Sequence, residues 1–153
     1  MQIIESKLNQ ILKLIKSERV ARLATTASDL QPYLTPVVFI LDKKNIYIPL
    51  DYKPKTVSFN RLKRVRNIQK NPKVAFLVDN YEEVWKQLWF VMLIGRATII
   101  ESAKNESRNR EICRVHDLLL EKYTQYSTLG VGDKYIKIIV LSGFYWRYTE
   151  TRK

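Results

Sequence analysis

Six short segments rich in β-branched and aromatic residues recur along the chain, and each is bounded by turn residues or by a helical pattern. They cover residues 20–26, 33–42, 45–50, 74–79, 88–101 and 136–148. Segments of this length and composition predict β-strands. Turn residues Ser28 and Asp29, and then residues 42–45, separate the first three segments, which predicts antiparallel hairpins.

Two residues inside these segments predict irregularities in the sheet. Pro36 lacks the backbone N–H that a central strand needs, so it predicts an edge position or a bulge. Gly95 interrupts the fifth segment, as a bulge or a close backbone approach would require.

Three helical patterns accompany the predicted strands. Apolar residues recur at three- and four-residue steps over residues 1–16 and again over residues 105–126. Pro54 suits the opening of a further helix, which Asn71-Pro72 ends. Because strands and helices do not alternate, a parallel doubly wound sheet is disfavoured, and we expect a single α+β domain over residues 1–153 built on a six-stranded antiparallel barrel.

Positive charge is concentrated in one segment. The formal net charge is +12, and residues 52–78 contain eight basic residues and no acid. Residues 51–55, Asp-Tyr-Lys-Pro-Lys, follow a predicted strand and open a predicted helix, where backbone amides attract phosphate. Lys53, Lys55 and the forked guanidinium of Arg64 therefore form a candidate phosphate site. The alternative is that these charges only solvate an exposed helix face.

Catalytic and metal-binding motifs are absent from the sequence. The single cysteine, Cys113, and the single histidine, His116, lie in a predicted helix without the spacing of a metal site. Four glycines do not form a phosphate-binding or dinucleotide-binding loop. We therefore expect no metal, assign no catalytic side chain, and infer that a cofactor carries any redox chemistry.

No apolar run is long enough to cross a bilayer, and the first residues do not resemble a signal peptide. A lone cysteine is compatible with a reducing compartment. We expect a cytoplasmic protein without membrane contact.

Several stretches resemble the split β-barrels of the pyridoxamine 5'-phosphate oxidase-like class. They are residues 19–25 (RVARLAT), 35–39 (TPVVF), 51–55 (DYKPK), 64–68 (RVRNI), 77–79 (LVD) and 95–97 (GRA). Their order is most similar to the deazaflavin-dependent oxidoreductase subgroup. The turn at Ser28-Asp29-Leu30 departs from the Asp-Gly of the family pattern.

The resemblance implies a homodimer with two cofactor sites at the subunit interface. It assigns the phosphate to Lys53, Lys55 and Arg64. The ring is then expected against residues of the second and third predicted strands, with tryptophans closing the pocket from either subunit. These residues are Thr35, Pro36, Val37, Ile48, Trp85, Trp89 and Trp146.

The resulting functional prediction is a redox protein that moves a hydride between a bound deazaflavin, coenzyme F-420, and an unknown small molecule. FMN is the alternative cofactor, and binding without turnover is an alternative function. A basic nucleic-acid-binding module is a less favoured alternative, because the sequence carries no known recognition motif. Heme binding, a third possibility, depends on His116 alone.

Overall fold

The computed structural model describes residues 5–50, 61–102 and 105–149. Their regular elements, in chain order, are α1 (Glu5–Ile15), β1 (Ala21–Thr26), β2 (Pro32–Val37), β3 (Ile40–Asp42), β4 (Asn45–Pro49), α2 (Lys63–Lys70), β5 (Lys73–Asn80), β6 (Trp89–Glu101), α3 (Glu106–Lys122), α4 (Tyr126–Leu129) and β7 (Lys134–Arg147). A single 3-10 turn, Trp85–Gln87, precedes β6. The start of the helix predicted at Pro54 lies outside the described residues. Within the described ranges, no helix combines the length and apolar character required to cross a bilayer.

All described strands belong to one antiparallel sheet in the order β2-β1-β5-β6-β7-β4-β3. The predicted α+β split-barrel class is confirmed, but the sheet has seven strands in place of the predicted six. The extra strand arises because the segment predicted as residues 33–42 is divided into β2 and β3, which lie at opposite ends of the strand order. Val38 and Phe39 carry the chain from one edge of the sheet to the other.

The main core lies on the inner face of this curved sheet. Alternate residues of β1 are buried, among them Ala21 and Leu23, as expected for a strand with one face toward a core. The apolar side of α1, including Leu8 and Leu12, packs into the same core. Helix α1 therefore fills the barrel interior from one side.

A β-bulge bends the longest hairpin, β6–β7. The register shifts at Gly95: Ile94 pairs with Ser142, whereas Gly95 pairs with Val140, which leaves Leu141 as the extra residue. A Cβ atom at position 95 would lie 2.6 Å from the carbonyl oxygen of Ile139. The bulge predicted from Gly95 is confirmed, and the glycine is required by close backbone approach.

Charged and polar side chains fasten α3 to the opposite face of the sheet. Arg114 donates two hydrogen bonds to Asp42, at 2.7 and 2.8 Å. The Tyr47 hydroxyl donates to Glu111 at 2.7 Å, and Lys137 donates to the same carboxylate. Burial opposes ionisation of Glu111, but the hydrogen bonds from Lys137 and Tyr47 outweigh burial and lower its pKa.

Candidate functional site

Strand β2 forms one edge of the sheet, so its outer edge has no strand partner among the described residues. Pro36 faces outward opposite Arg22, and its predicted edge position is confirmed. Thr35 and Val37 face the other side, opposite Leu23 and Ala21. The unpaired backbone groups of such an edge are available to the polar rim of a planar ligand.

A buried polar pair positions α2 against β1. The side-chain amide of Asn67 donates to the Thr25 hydroxyl at 3.0 Å, and both residues are buried in an otherwise apolar contact. Val65 and Ile68 complete the packed side of the helix. Sequence analysis missed this pair, although Asn67 follows the spacing of the buried positions and so carried a detectable signal.

The start of α2 places positive charge beside β2. The Lys63 ammonium lies 4.9 Å from the centroid of the Tyr33 ring, and Tyr33 shares a face of β2 with Thr35. Arg64 is half-buried on the packed side of the same helix. Among the predicted site residues, the structure therefore brings Arg64 and Thr35 to neighbouring elements at one end of the sheet.

Other predicted site residues are placed elsewhere or not described. Lys53 and Lys55 lie outside the described residues. Ile48 is on β4, pairs with Ile136, and is only 2% exposed. Its side chain belongs to the same core cluster as Val37.

The three predicted tryptophans share one end of the molecule but not one surface. Trp85 is 67% exposed in the 3-10 turn before β6. Trp89 packs against the main core. Trp146 lies on the outer face of β7 and stacks on Phe90, with ring centroids 5.7 Å apart. Within one chain, these rings do not form a single pocket wall.

The outer face of the sheet exposes a set of large apolar side chains. We call this set the outer apolar face: Leu34, Met92, Ile94, Ile139, Leu141 and Phe144. The register places its members across β2, β6 and β7. A contiguous apolar surface of this kind is typical of a protein interface.

Lys122 and Tyr123 were missed by sequence analysis. They lie at the end of α3 and contact the Phe39 backbone, where the chain crosses between the sheet edges. The Lys122 ammonium lies 4.0 Å from the centroid of the Phe39 ring. Burial, assisted by nearby Arg19, lowers the pKa of Lys122 to about 8. The sequence shows no sign of either contact, because both side chains contact Phe39, which lies more than eighty residues earlier in the chain.

The single cysteine and the single histidine of the chain lie on the surface of α3. Cys113 is exposed, and the imidazole of His116 lies 3.9 Å from the carboxylate of its neighbour Asp117. Across the described part of the chain, no group of three or more histidine, cysteine or acidic side chains is arranged to hold a metal ion.

A family model described as pyridoxamine 5'-phosphate oxidase matches residues 8–119, which is more than half of the chain. The chain belongs to the pyridoxamine 5'-phosphate oxidase family. The search of curated proteins finds no match.

Solved structures share the fold of this family member at low sequence identity. A conserved hypothetical protein from Mycobacterium tuberculosis is 20% identical, with a TM-score of 0.69 over 96% of this chain and 86% of that chain. A FAD-binding protein from Mesorhizobium loti is 18% identical, with a TM-score of 0.64 over 94% of each chain. HutZ, the heme storage protein from Vibrio cholerae, is 13% identical, with a TM-score of 0.62 over 95% of each chain.

Proposed function

We propose that the protein binds a flavin-type cofactor and acts as a homodimeric oxidoreductase on a small molecule. One observation carries the proposal: the basic start of α2 contacts the edge strand β2, with Lys63 over the ring of Tyr33 and Arg64 on the same helix. Cations bind phosphate, and the free backbone groups of an edge strand can bind the polar rim of a ring, so this combination suits a phosphorylated planar ligand. Membership of the family supports the same function.

The phosphate end of the cofactor is assigned to Arg64 together with Lys53 and Lys55. The guanidinium offers paired donors to phosphate oxygens, and the lysines add compact charge. No acid occurs between residues 52 and 78, so no carboxylate of this segment competes with the phosphate. These residues would bind and orient the cofactor through its anionic end.

The ring end is assigned to the edge strand around Thr35, Pro36 and Val37. In this arrangement, backbone groups of β2 hold the polar rim of the ring, and apolar side chains exclude water from it. When bound, a flavin or deazaflavin ring supplies hydride or electron-pair transfer. We assign no side chain of this protein to proton transfer.

A second copy of the chain is proposed to complete the site. The outer apolar face is available for pairing, and Trp85 projects from the body of the subunit. The three tryptophans do not share a surface within one chain, so Trp85 or Trp146 would reach the cofactor across the interface. Burial of exposed aromatic rings is typical of protein interfaces.

The preferred cofactor is the deazaflavin coenzyme F-420, and FMN is the alternative. The structurally similar FAD-binding protein supports a flavin ring in this fold. The net charge of +12 favours the deazaflavin, because that coenzyme carries a longer anionic tail. Heme is less favoured, although HutZ shares the fold, because the one histidine lies on the surface of α3.

A fluorescence titration of the purified protein with F-420 and FMN, and an absorbance titration with hemin, test the cofactor assignment. We expect saturable binding of F-420 or FMN near one molecule per chain. Arg64→Ala and the pair Lys53→Ala/Lys55→Ala should each weaken that binding at least tenfold. Lys13→Ala/Lys16→Ala, which removes the same charge from the end of α1 and the turn that follows it, should leave that binding unchanged. Binding of hemin alone, or equal loss in the α1 variant, would overturn the assignment.

Sedimentation equilibrium tests the dimer. Met92→Glu/Phe144→Glu should convert a dimer into a monomer and abolish cofactor binding, because charge on the outer apolar face opposes pairing. Leu129→Glu, at a residue 69% exposed on α4, is the matched control and should remain dimeric. A wild-type chain that is monomeric with cofactor bound would contradict the shared site.

A further inference from the structure

An ion pair lies within the area of the outer apolar face. Arg22 on β1 donates a hydrogen bond to the carboxylate of Asp79 on β5. The strand register places Arg22 opposite Leu77, and Leu77 opposite Met92 of the outer apolar face. The same register places Asp79 opposite Phe90. The two charged side chains therefore lie on the outer surface of the sheet, between the members of that face on β2 and on β6.

Apolar side chains surround this ion pair. On β2, Pro36 lies opposite Arg22, and on β6 the Phe90 ring packs against the ring of Phe144, a member of the outer apolar face. While water covers such a surface, an ion pair contributes little to stability. Once a second surface covers it, the same two charges lie in an apolar contact, where the loss of either one is costly.

The guanidinium of Arg22 carries hydrogen-bond donors that the subunit does not use. A guanidinium has five N–H groups, and among the described residues Arg22 makes one side-chain hydrogen bond, to Asp79. The Arg22 side chain is 40% exposed and that of Asp79 is 15% exposed, so the arginine is the member of the pair that solvent reaches. A second surface that covers this face must supply acceptors for the remaining N–H groups or leave them buried without partners, at a cost.

A polar group of this kind restricts how two surfaces can pair. Apolar side chains pack in many relative positions at similar free energy, whereas a guanidinium is satisfied only where an acceptor lies within hydrogen-bond distance. Single polar residues inside apolar contacts fix the register of pairing in this way in coiled coils. The Arg22–Asp79 pair is placed to do the same on the outer apolar face.

We propose that the Arg22–Asp79 pair fixes the geometry in which two copies of the chain pair across the outer apolar face, with Arg22 donating hydrogen bonds to oxygen atoms of the second copy. The inference rests on the proposed dimer. Pro36, which is assigned to the cofactor ring, lies directly opposite Arg22, so the pairing that Arg22 selects also sets where the second copy meets the cofactor site. Arg22 is a positioning residue, because no contact of Arg22 with the cofactor is assigned.

Removal of one member of the pair and removal of both should affect pairing differently. Arg22→Leu and Asp79→Leu each leave one charge without its counter-charge on a face that pairing buries. Each single variant should therefore weaken the dimer about tenfold or more. The double variant Arg22→Leu/Asp79→Leu makes this part of the face apolar and should pair at least as strongly as the wild type, but without a fixed geometry.

Sedimentation equilibrium of the full chain measures the strength of pairing. Double electron–electron resonance measures its geometry, with a nitroxide label on Cys113, which is the single cysteine of the chain and is exposed on α3. We expect one narrow distance between the two labels in the wild type and a broad distribution in the double variant. Titration with F-420 and FMN should show binding to the dimeric double variant weakened about tenfold, because the second copy no longer meets the site in one geometry.

The matched control removes a second cross-strand ion pair. Lys134 on β7 lies opposite Glu101 at the end of β6, outside the outer apolar face, and their charged groups are 3.4 Å apart. Lys134→Leu/Glu101→Leu should keep the dimer affinity, the narrow distance and the cofactor affinity of the wild type. Urea denaturation checks that each variant folds, and Asp79→Asn, which keeps the size of the side chain, replaces a leucine variant that does not fold and should also weaken the dimer.

Single variants with the dimer affinity of the control would overturn the proposal, because the ion pair would then be a solvated surface pair. A double variant that pairs weakly, or that keeps the narrow distance of the wild type, would also overturn it, because the pair would then not set the geometry. These outcomes leave the proposed dimer and its cofactor intact. A monomeric wild-type chain would contradict the proposed dimer and this inference with it.

Discussion

The hydroxyl of Tyr123 accepts a hydrogen bond from the backbone N–H of Phe39 at 3.1 Å, across 84 residues of sequence. Phe39 lies between β2 and β3, where no neighbouring strand supplies an acceptor for that N–H. The same hydroxyl lies 2.9 Å from the Phe39 carbonyl and 2.8 Å from the Arg19 carbonyl. The side chain of Tyr123, directly after α3, therefore supplies hydrogen-bond partners to the backbone where the chain crosses between the two edges of the sheet.

Tyr123→Phe should lower the free energy of unfolding by about 1–3 kcal/mol, because it leaves the buried Phe39 N–H without an acceptor. Urea denaturation measures the change, and the slope with denaturant should stay constant. Tyr81→Phe is the control, since the Tyr81 side chain is 68% exposed and its loss should change stability by less than about 0.5 kcal/mol. Equal stability of the two variants would show that the hydroxyl is not needed.

Lys122 should make stability depend on pH above neutrality. Burial lowers its pKa in the folded protein to about 8, whereas a lysine in an unfolded chain titrates near about 10.4. Between these values the unfolded chain binds more protons, so the free energy of unfolding contributed by Lys122 rises with pH. Below pH 8 the amine is charged in both states, and the cost of burying that charge is fully present.

Lys122→Arg is the matched variant, because arginine stays charged throughout this range. We expect the stability of the wild type relative to Lys122→Arg to increase by on the order of 1 kcal/mol from pH 7 to pH 10, a figure reduced for the partial exposure of the side chain. Denaturation at several pH values measures this difference. A difference that stays constant with pH would contradict the lowered pKa.

The strand content was predictable because each strand carries its own local signal. Residues 20–26 and 45–50 show β-branched and aromatic enrichment, and the structure places β1 and β4 there within one residue of each predicted boundary. The division between β2 and β3 was not predictable. Val38 and Phe39 have the composition of a strand, and only the closure of the barrel makes them leave the sheet.

The candidate site was predictable only in part, for a similar reason. The edge position of Pro36 follows from its missing N–H. The density of positive charge over residues 52–78 predicts a phosphate site that includes Arg64. The separation of Arg66 and Lys70 from Arg64 depends on which side of α2 packs against the sheet. The sequence pattern around Val65 and Ile68 indicates that side.

Gly95→Ala should destabilise the protein more than Gly143→Ala. A Cβ atom at position 95 would lie 2.6 Å from a backbone oxygen, that of Ile139, so the bulge itself would have to shift. At position 143, the Cβ would meet the end of the Leu93 side chain, also at 2.6 Å, which can move at lower cost. We expect a loss of about 2–3 kcal/mol at Gly95 and about 1 kcal/mol at Gly143 by urea denaturation. The reverse order would show that the bulge is not fixed by Gly95.

Thr25 and Asn67 should show strong energetic coupling, because each is the buried hydrogen-bond partner of the other. Thr25→Val leaves the Asn67 amide unpaired, and Asn67→Leu leaves the hydroxyl unpaired, so each single variant should lose about 1–3 kcal/mol. The double variant replaces both polar groups with apolar ones and should recover about 1 kcal/mol of the summed loss. A double-mutant cycle by urea denaturation measures this coupling.

Because the pair positions α2, the single variants should also weaken binding of F-420 or FMN through displacement of Arg64, and the double variant should restore part of that affinity. Additive stability losses would show that the two side chains do not act as a pair. Unchanged cofactor affinity in all three variants would show that Arg64 does not depend on this anchor for its position.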